Sequence, residues 1–119
     1  MFLNNVICIK VKHCTCAIML DNILYMEKSR RQIIVHVIEG ENVCFYGKYD
    51  SVLPMLDERF THPHQSYVIN MQHISRLGRN EAVLLGGDKI EMGTKCFGRL
   101  KREYDQYISK NIKSSMINR

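Results

Sequence analysis

Residues 33–46 read Ile33-Ile34-Val35-His36-Val37-Ile38, then Glu39-Gly40-Glu41-Asn42, then Val43-Cys44-Phe45-Tyr46, and this stretch decides the fold. Five of the first six side chains are β-branched, which suits a pleated, half-buried surface better than a helix. The polar Glu39–Asn42 segment then reads as a hairpin loop, and Val43 to Tyr46 as the returning strand. Upstream, Glu27 to Arg31 (EKSRR) reads as a charged connection and Ile23 to Met26 as a strand. Asp21-Asn22 is a turn signal, preceded by apolar runs at Val6–Val11 and Cys16–Leu20 with a break at His13 to Thr15.

Downstream, the period changes. Asp50 or Ser51 is placed to cap a short helix, with Pro54 in its first turn and Val52, Leu53, Leu56 and Phe60 at helical spacing. Thr61, His62, His64, Gln65 and Ser66 form a polar loop running into the strand Tyr67–Ile69, which stops at Asn70. Asn70 reads as a turn cap. Short strands follow at Ile74–Gly78, Ala82–Leu85 and Lys89–Met92, separated by Asn80-Glu81 and by Gly86-Gly87, a two-residue hairpin turn. Thr94 is expected to cap a final helix burying Phe97, Leu100, Tyr104 and Ile108, and residues 109–119 form a basic tail. The whole is mainly β: eight or nine short strands with two short helices, spaced as in a sandwich or barrel rather than a parallel α/β sheet.

The chain has 119 residues, enough for one domain with a single core. Net charge is +5, unevenly placed: residues 1–60 carry 7 basic and 7 acidic side chains, residues 61–119 carry 10 and 5. That asymmetry fits a polyanionic partner. The 5 cysteines are odd in number and irregularly spaced, which argues against a disulfide framework and for a reducing cytoplasm. No signal peptide and no apolar run of about 18 residues is present, so no membrane role is expected.

Sites of chemistry are sparse. His13-Cys14-Thr15-Cys16 and His62-Pro63-His64 lack the paired spacing of a metal site, so no metal or cofactor is expected. There is no nucleophile elbow, phosphate-binding glycine loop or His-Glu-x-x-His helix, so no enzyme is expected.

The order of elements and several local motifs over about residues 5–108 resemble the LytTR DNA-binding domain, the output half of many bacterial response regulators. The family's "D-I-x-Y-x-E" strand is matched by Asp21-Asn22-Ile23-Leu24-Tyr25-Met26-Glu27, with Asn22 inserted. Its "H-R-S-x-x-V-N" segment is matched by His64 to Asn70, after Phe60 and before Ile74. Its closing strand, turn, strand and "S-R" are matched by Ala82–Leu85, Gly86-Gly87, Lys89–Met92 and Thr94-Lys95.

The resemblance implies an elongated β-β-β sandwich that inserts loops into successive major grooves. It also implies three contact segments: Lys28 to Arg31, with Arg31 the nearest match; His64-Gln65; and Lys95. Gln65 and Lys95 each stand where the family has arginine. Glutamine reads adenine where arginine prefers guanine, and lysine lacks the two-pronged donor. The usual phospho-acceptor receiver domain is absent, so the chain either works without phosphorylation control or is a fragment; the start at Met1 favours the former.

The expected function is sequence-specific binding of double-stranded DNA by a bacterial transcription regulator. Lys28, Arg30, Arg99 and Lys101 would hold phosphates, and Arg31, Gln65 and Lys95, with His64 beside them, would meet base edges. Self-association on a repeated site is expected, because one module offers a small footprint. The alternative is a decoy that pairs with a full-length regulator and keeps it off DNA. RNA binding is a third option, disfavoured because Tyr25, Phe45, Tyr46, Phe60, Tyr67 and Phe97 sit in core-like patterns.

Overall fold

The computed structural model describes residues 5–115 and 117. Three β layers stack into a body of 54 × 36 × 24 Å. The first is a hairpin of β1 (Val6–Val11) and β2 (Cys14–Met19), in register from Val6 opposite Met19 to Val11 opposite Cys14. The second is a five-stranded antiparallel sheet of β3 (Ile23–Ser29), β4 (Gln32–Val37), β5 (Val43–Tyr46), β6 (Phe60–His64) and β7 (Tyr67–Asn70), in the order β5-β4-β3-β7-β6. The third is β8 (Ile74–Gly78), β9 (Glu81–Leu84) and β10 (Lys89–Glu91), in the order β10-β9-β8. A one-turn helix α1 (Tyr49–Val52) links β5 towards β6, and α2 (Thr94–Asn111) closes the chain. The elongated β-β-β sandwich expected from the sequence is the fold observed.

The central sheet is covered on both faces, so it separates two cores. Ile7, Ile9, Ile18, Met26, Ile33, Val35 and Val68 bury one face against the hairpin. Leu24, Tyr25, Ile69, Ala82, Leu84, Ile90 and Leu100 bury the other against the third layer and α2. Strict alternation would send Leu24 and Tyr25 to opposite faces. The register slips between Ile23 and Tyr25, which makes Leu24 an extra residue and points both at the second core. The residue that looks inserted in the motif and this bulge are adjacent.

Asn70 ties the layers together. It is fully buried, and its Nδ2 donates to the carbonyl oxygens of Ile23 (2.8 Å) and Leu20 (3.3 Å). Its Oδ1 accepts from the Gln72 N–H at 3.0 Å, capping the 3₁₀ turn Met71–His73. The turn-capping role expected of Asn70 is the one seen.

Several local expectations are corrected. Lys28 lies in β3, and the β3–β4 connection shrinks to Arg30-Arg31, because Ser29 pairs with Gln32. The segment expected as the polar loop from Thr61, together with Phe60, is mostly strand β6; Pro63 sits at its register slip, where its missing donor is tolerated. Neither Asp50 nor Ser51 caps α1: Lys48 is its cap, and Pro54 falls in the following 3₁₀ turn, Leu53–Met55. The β8–β9 turn is Arg79-Asn80, one residue earlier than expected. Leu85-Gly86-Gly87 form a three-residue loop, closed by the Leu84 N–H donating to the Asp88 carbonyl at 2.8 Å, with both glycines at positive φ. Gly93, not Thr94, is the N-cap of α2, and that helix runs 18 residues to Asn111, past the expected start of the tail.

Candidate nucleic-acid interface

Strand direction decides which side chains meet. β3 runs into the Arg30-Arg31 turn, and β7 emerges from the Gln65-Ser66 turn antiparallel to β3, with Glu27 opposite Tyr67. Both turns therefore lie at the same end of the central sheet. The Lys28 N–H donates to the Ser66 carbonyl at 2.8 Å, and the Gly47 N–H to the Arg31 carbonyl at 3.2 Å. The Tyr49 hydroxyl also donates to the Ser66 carbonyl, at 2.9 Å, from a site where burial pushes its pKa well up and keeps the proton in place. Gln65 is thus presented on a turn anchored twice, with its own side chain exposed.

His64 has a local duty. Its Nδ1 accepts the Ser66 N–H at 3.0 Å, and its ring lies 5.5 Å from that of Tyr67. With Nδ1 engaged as acceptor, the neutral ring carries its proton on Nε2, as a donor beyond the turn. His64 builds the turn that displays Gln65.

Helix α2 reaches the same end. Thr61 in β6 hydrogen-bonds Glu103, while Tyr107, Lys110 and Asn111 line a cavity with Leu53, Leu56 and Asp57, which precede β6. The helix therefore runs antiparallel to β6. Going back from Glu103 to Lys95 covers about 12 Å of helix, and going forward from Thr61 to Gln65 about 13 Å of strand. The start of α2 is drawn level with the Gln65 turn. It is held there by the Arg79-Asn80 turn: the Met92 N–H donates to the Asn80 carbonyl at 3.0 Å, and Asn80 Nδ2 reaches Thr94 Oγ1 at 3.4 Å.

At 100° per residue, Arg99 falls about 40° from Lys95 towards Glu103, which meets β6; Arg102 lies about 20° from Lys95 on the other side, and Lys101 about 120° from it. The geometry therefore brings together Lys28, Arg30, Arg31, His64, Gln65, Lys95 and Arg99. It sets Lys101 apart, although all the α2 cations named are exposed.

Charge is separated along the strands. The far end holds Asp21, Glu39, Glu41, Asp57 and Glu58, at the start of β3, the β4–β5 loop and the approach to β6. Arg59, at that end, is spent on Asp57 (2.9 Å) and Asp21, and Lys110 of the last turn of α2 lines a cavity there with Asp57 and Glu58. Asp21 has its pKa held below the usual carboxylate range by Asn5 and then Arg59. Glu27, midway, is matched by His36 at 2.7 Å. Although the first sixty residues sum to no net charge, Arg30 and Arg31 sit at one end and five of the seven carboxylates at the other, so sequence counting hid the polarity.

Two contributors, Arg79 and Tyr46, went unread in the sequence. Arg79 tops the β8–β9 turn at φ +54°, exposed and without an ion pair among the described residues. Arg30 is likewise at positive φ, +58°. Glycine or asparagine suits such positions better, so two arginines held there carry a backbone cost that fold alone does not require. Tyr46, expected in a core-like pattern, is 77% exposed on edge strand β5 beside Gln32. A β-branched or aromatic run signals a strand but not which side of an edge strand meets water.

The family model described as the LytTr DNA-binding domain matches residues 13–105. The chain belongs to that family. It is a DNA-binding family, not an enzyme family, and it is one used by transcription regulators. The accessory gene regulator protein A of two Staphylococcus epidermidis strains is 30% identical over 83 residues, 68% of this chain. The match takes in 32% of that protein, so this LytTR chain spans about a third of the curated relatives' length. The LytTr DNA-binding domain of a methyl-accepting/DNA response regulator from Bacillus cereus superposes with a TM-score of 0.67. It is 14% identical and covers 84% of this chain and 95% of its own, a likeness of fold. Among the described residues, no helix of this LytTR domain is long and apolar enough to cross a membrane.

Proposed function

We propose that this LytTR domain reads double-stranded DNA sequence-specifically in the major groove, as part of a bacterial transcription regulator acting in the cytoplasm. The observation that carries the reading is the polarity just described: hairpin turns bearing Arg30-Arg31, Gln65 and Arg79 gather with Lys95 at one end of the sandwich, where these cations outnumber Asp50, Glu81 and Glu91, while Asp21, Glu39, Glu41, Asp57 and Glu58 hold the other end. A dipolar body of this kind orients on a polyanion before it touches it.

Within that reading, Arg31 and Gln65 address base edges, Gln65 pairing with adenine N6 and N7. Lys95 sits in the first turn of α2, where the helix dipole disfavours a cation. A phosphate at that helix end turns the cost into a gain, since peptide N–H groups and the ammonium then share one anion. Lys28, Arg30, Arg99 and Arg79 hold flanking phosphates, and Lys101, on the other flank of α2, contributes least. The module is small, so two copies on a repeated site supply affinity that one does not.

The test is affinity for selected and scrambled duplexes at several salt concentrations. Five phosphate contacts, that of Lys95 included, give a slope of log K against log salt of roughly −4 to −5. A sequence-reading regulator shows that slope and prefers the selected duplex by about a thousandfold or more. Weak binding at every salt, with co-purification of a full-length regulator, would instead identify the decoy.

A further inference from the structure

The first layer carries a basic feature outside the three segments that the family resemblance names. The β1–β2 turn, Lys12-His13, faces edge strand β5 across a groove of about 430 Å³ lined by Lys10, Lys12 and His13 on one side and Cys44, Phe45 and Tyr46 on the other. No carboxylate lines it, and neither lysine makes an ion pair among the described residues. Tyr46 stands 77% exposed at its mouth. Because Tyr46 pairs with Gln32, the groove opens at the same end of the sandwich as Arg31.

We propose that the β1–β2 turn and Tyr46 form a fourth duplex-contact element, which grips the sugar-phosphate backbone outside the segment read by Arg31 and Gln65. The inference rests on the DNA-binding reading and extends it. Packed layers lie about 10 Å apart, so the turn reaches a backbone position about three base pairs beyond Arg31. Lys10 and Lys12 neutralise phosphates there, and the Tyr46 ring packs on a sugar with its hydroxyl free to donate to a phosphate oxygen. The competing role for lysines beside an open sheet edge is to repel strand addition. That role explains Lys10 and Lys12 but not a large aromatic left in water on the edge strand that lines the same groove.

The experiment compares the whole chain with Lys10→Ala/Lys12→Ala and with Tyr46→Ala. Each is measured on a selected duplex and on the same duplex trimmed by four base pairs on one side, then the other. All three positions are surface ones, and urea midpoints confirm that each variant folds. For the wild type, trimming one side costs about eightfold per lost contact at 0.1 M salt, following from a slope of −0.9 per contact. The double variant, lacking two contacts, binds the intact duplex about sixtyfold more weakly, its salt slope is shallower by about two, and it no longer senses the trimming. Tyr46→Ala weakens binding without changing the slope. Wild-type slope, affinity and length dependence in the double variant would overturn the fourth contact while leaving DNA binding in place. Absence of any salt-dependent duplex binding by the wild type would overturn both.

Discussion

Replacing Asn70 with alanine removes a buried polar side chain that joins the start of β3 to the turn after β7. The Leu20 carbonyl keeps a second donor, the Ile23 N–H that closes its 3₁₀ turn. The Ile23 carbonyl loses its 2.8 Å partner in a fully buried setting, at about 1–3 kcal/mol. The Gln72 N–H loses its cap, at about 1 kcal/mol, softened because Gln72 is exposed to water. The truncated volume adds about 1 kcal/mol more. The sum, about 3–5 kcal/mol, is a large share of the 5–15 kcal/mol typical of a domain. Urea unfolding followed by circular dichroism should show the midpoint falling by about 2 M with the slope unchanged. Asn70→Asp should be worse, because it turns an oxygen towards the Ile23 and Leu20 carbonyls. A loss below about 1 kcal/mol for Asn70→Ala, or a milder effect for Asn70→Asp, would refute the reasoning.

Tyr49→Phe removes the hydroxyl that braces the Ser66 carbonyl, and should cost about 1 kcal/mol of stability while weakening duplex binding through a looser Gln65 turn; urea titration and a binding isotherm check both. Arg30→Gly relieves a positive-φ arginine, so stability should rise by about 0.5–1 kcal/mol while DNA affinity falls, a pair of opposite signs that a purely structural turn would not give. Gln65→Ala should flatten base preference at one position of a selected site, whereas Arg99→Ala should weaken all sequences alike and Lys101→Ala should do so least; competition with point-substituted duplexes separates them. Asp21 has its pKa lowered in the folded state, so its contribution is present above the ordinary carboxylate range and is lost as pH falls through the lowered value. Asp21→Asn should flatten that acid limb of stability, measured by urea midpoints from neutral to acid pH.

Much of the architecture was legible because apolar period and turn chemistry agreed: Val6–Val11, Ile74–Gly78 and Val43–Tyr46 are strands with the expected ends. The misses share a cause. The proline of His62-Pro63-His64 argues against a strand, and pairing of β6 with β7 overrode it. Arg79-Asn80 makes a hairpin turn without glycine, so punctuation by residue type pointed one position late. At the interface, the contributing segments could be named from motif order, but their convergence depends on strand direction and on α2 lying antiparallel to β6. The polarity of the first half was invisible to charge counting for the same reason: Arg59 and Arg31 count equally in a sum and sit at opposite ends of the molecule.

The central claim is that one end of this sandwich meets DNA. Titrating a selected duplex into isotopically labelled protein and following backbone amide resonances tests it residue by residue. The account predicts the largest shifts at Arg30–Gln32, His64–Ser66, Arg79-Asn80 and Lys95–Arg99, with Asn22, Glu39–Asn42 and Asp57–Glu58 undisturbed. Shifts concentrated at that second group would contradict it.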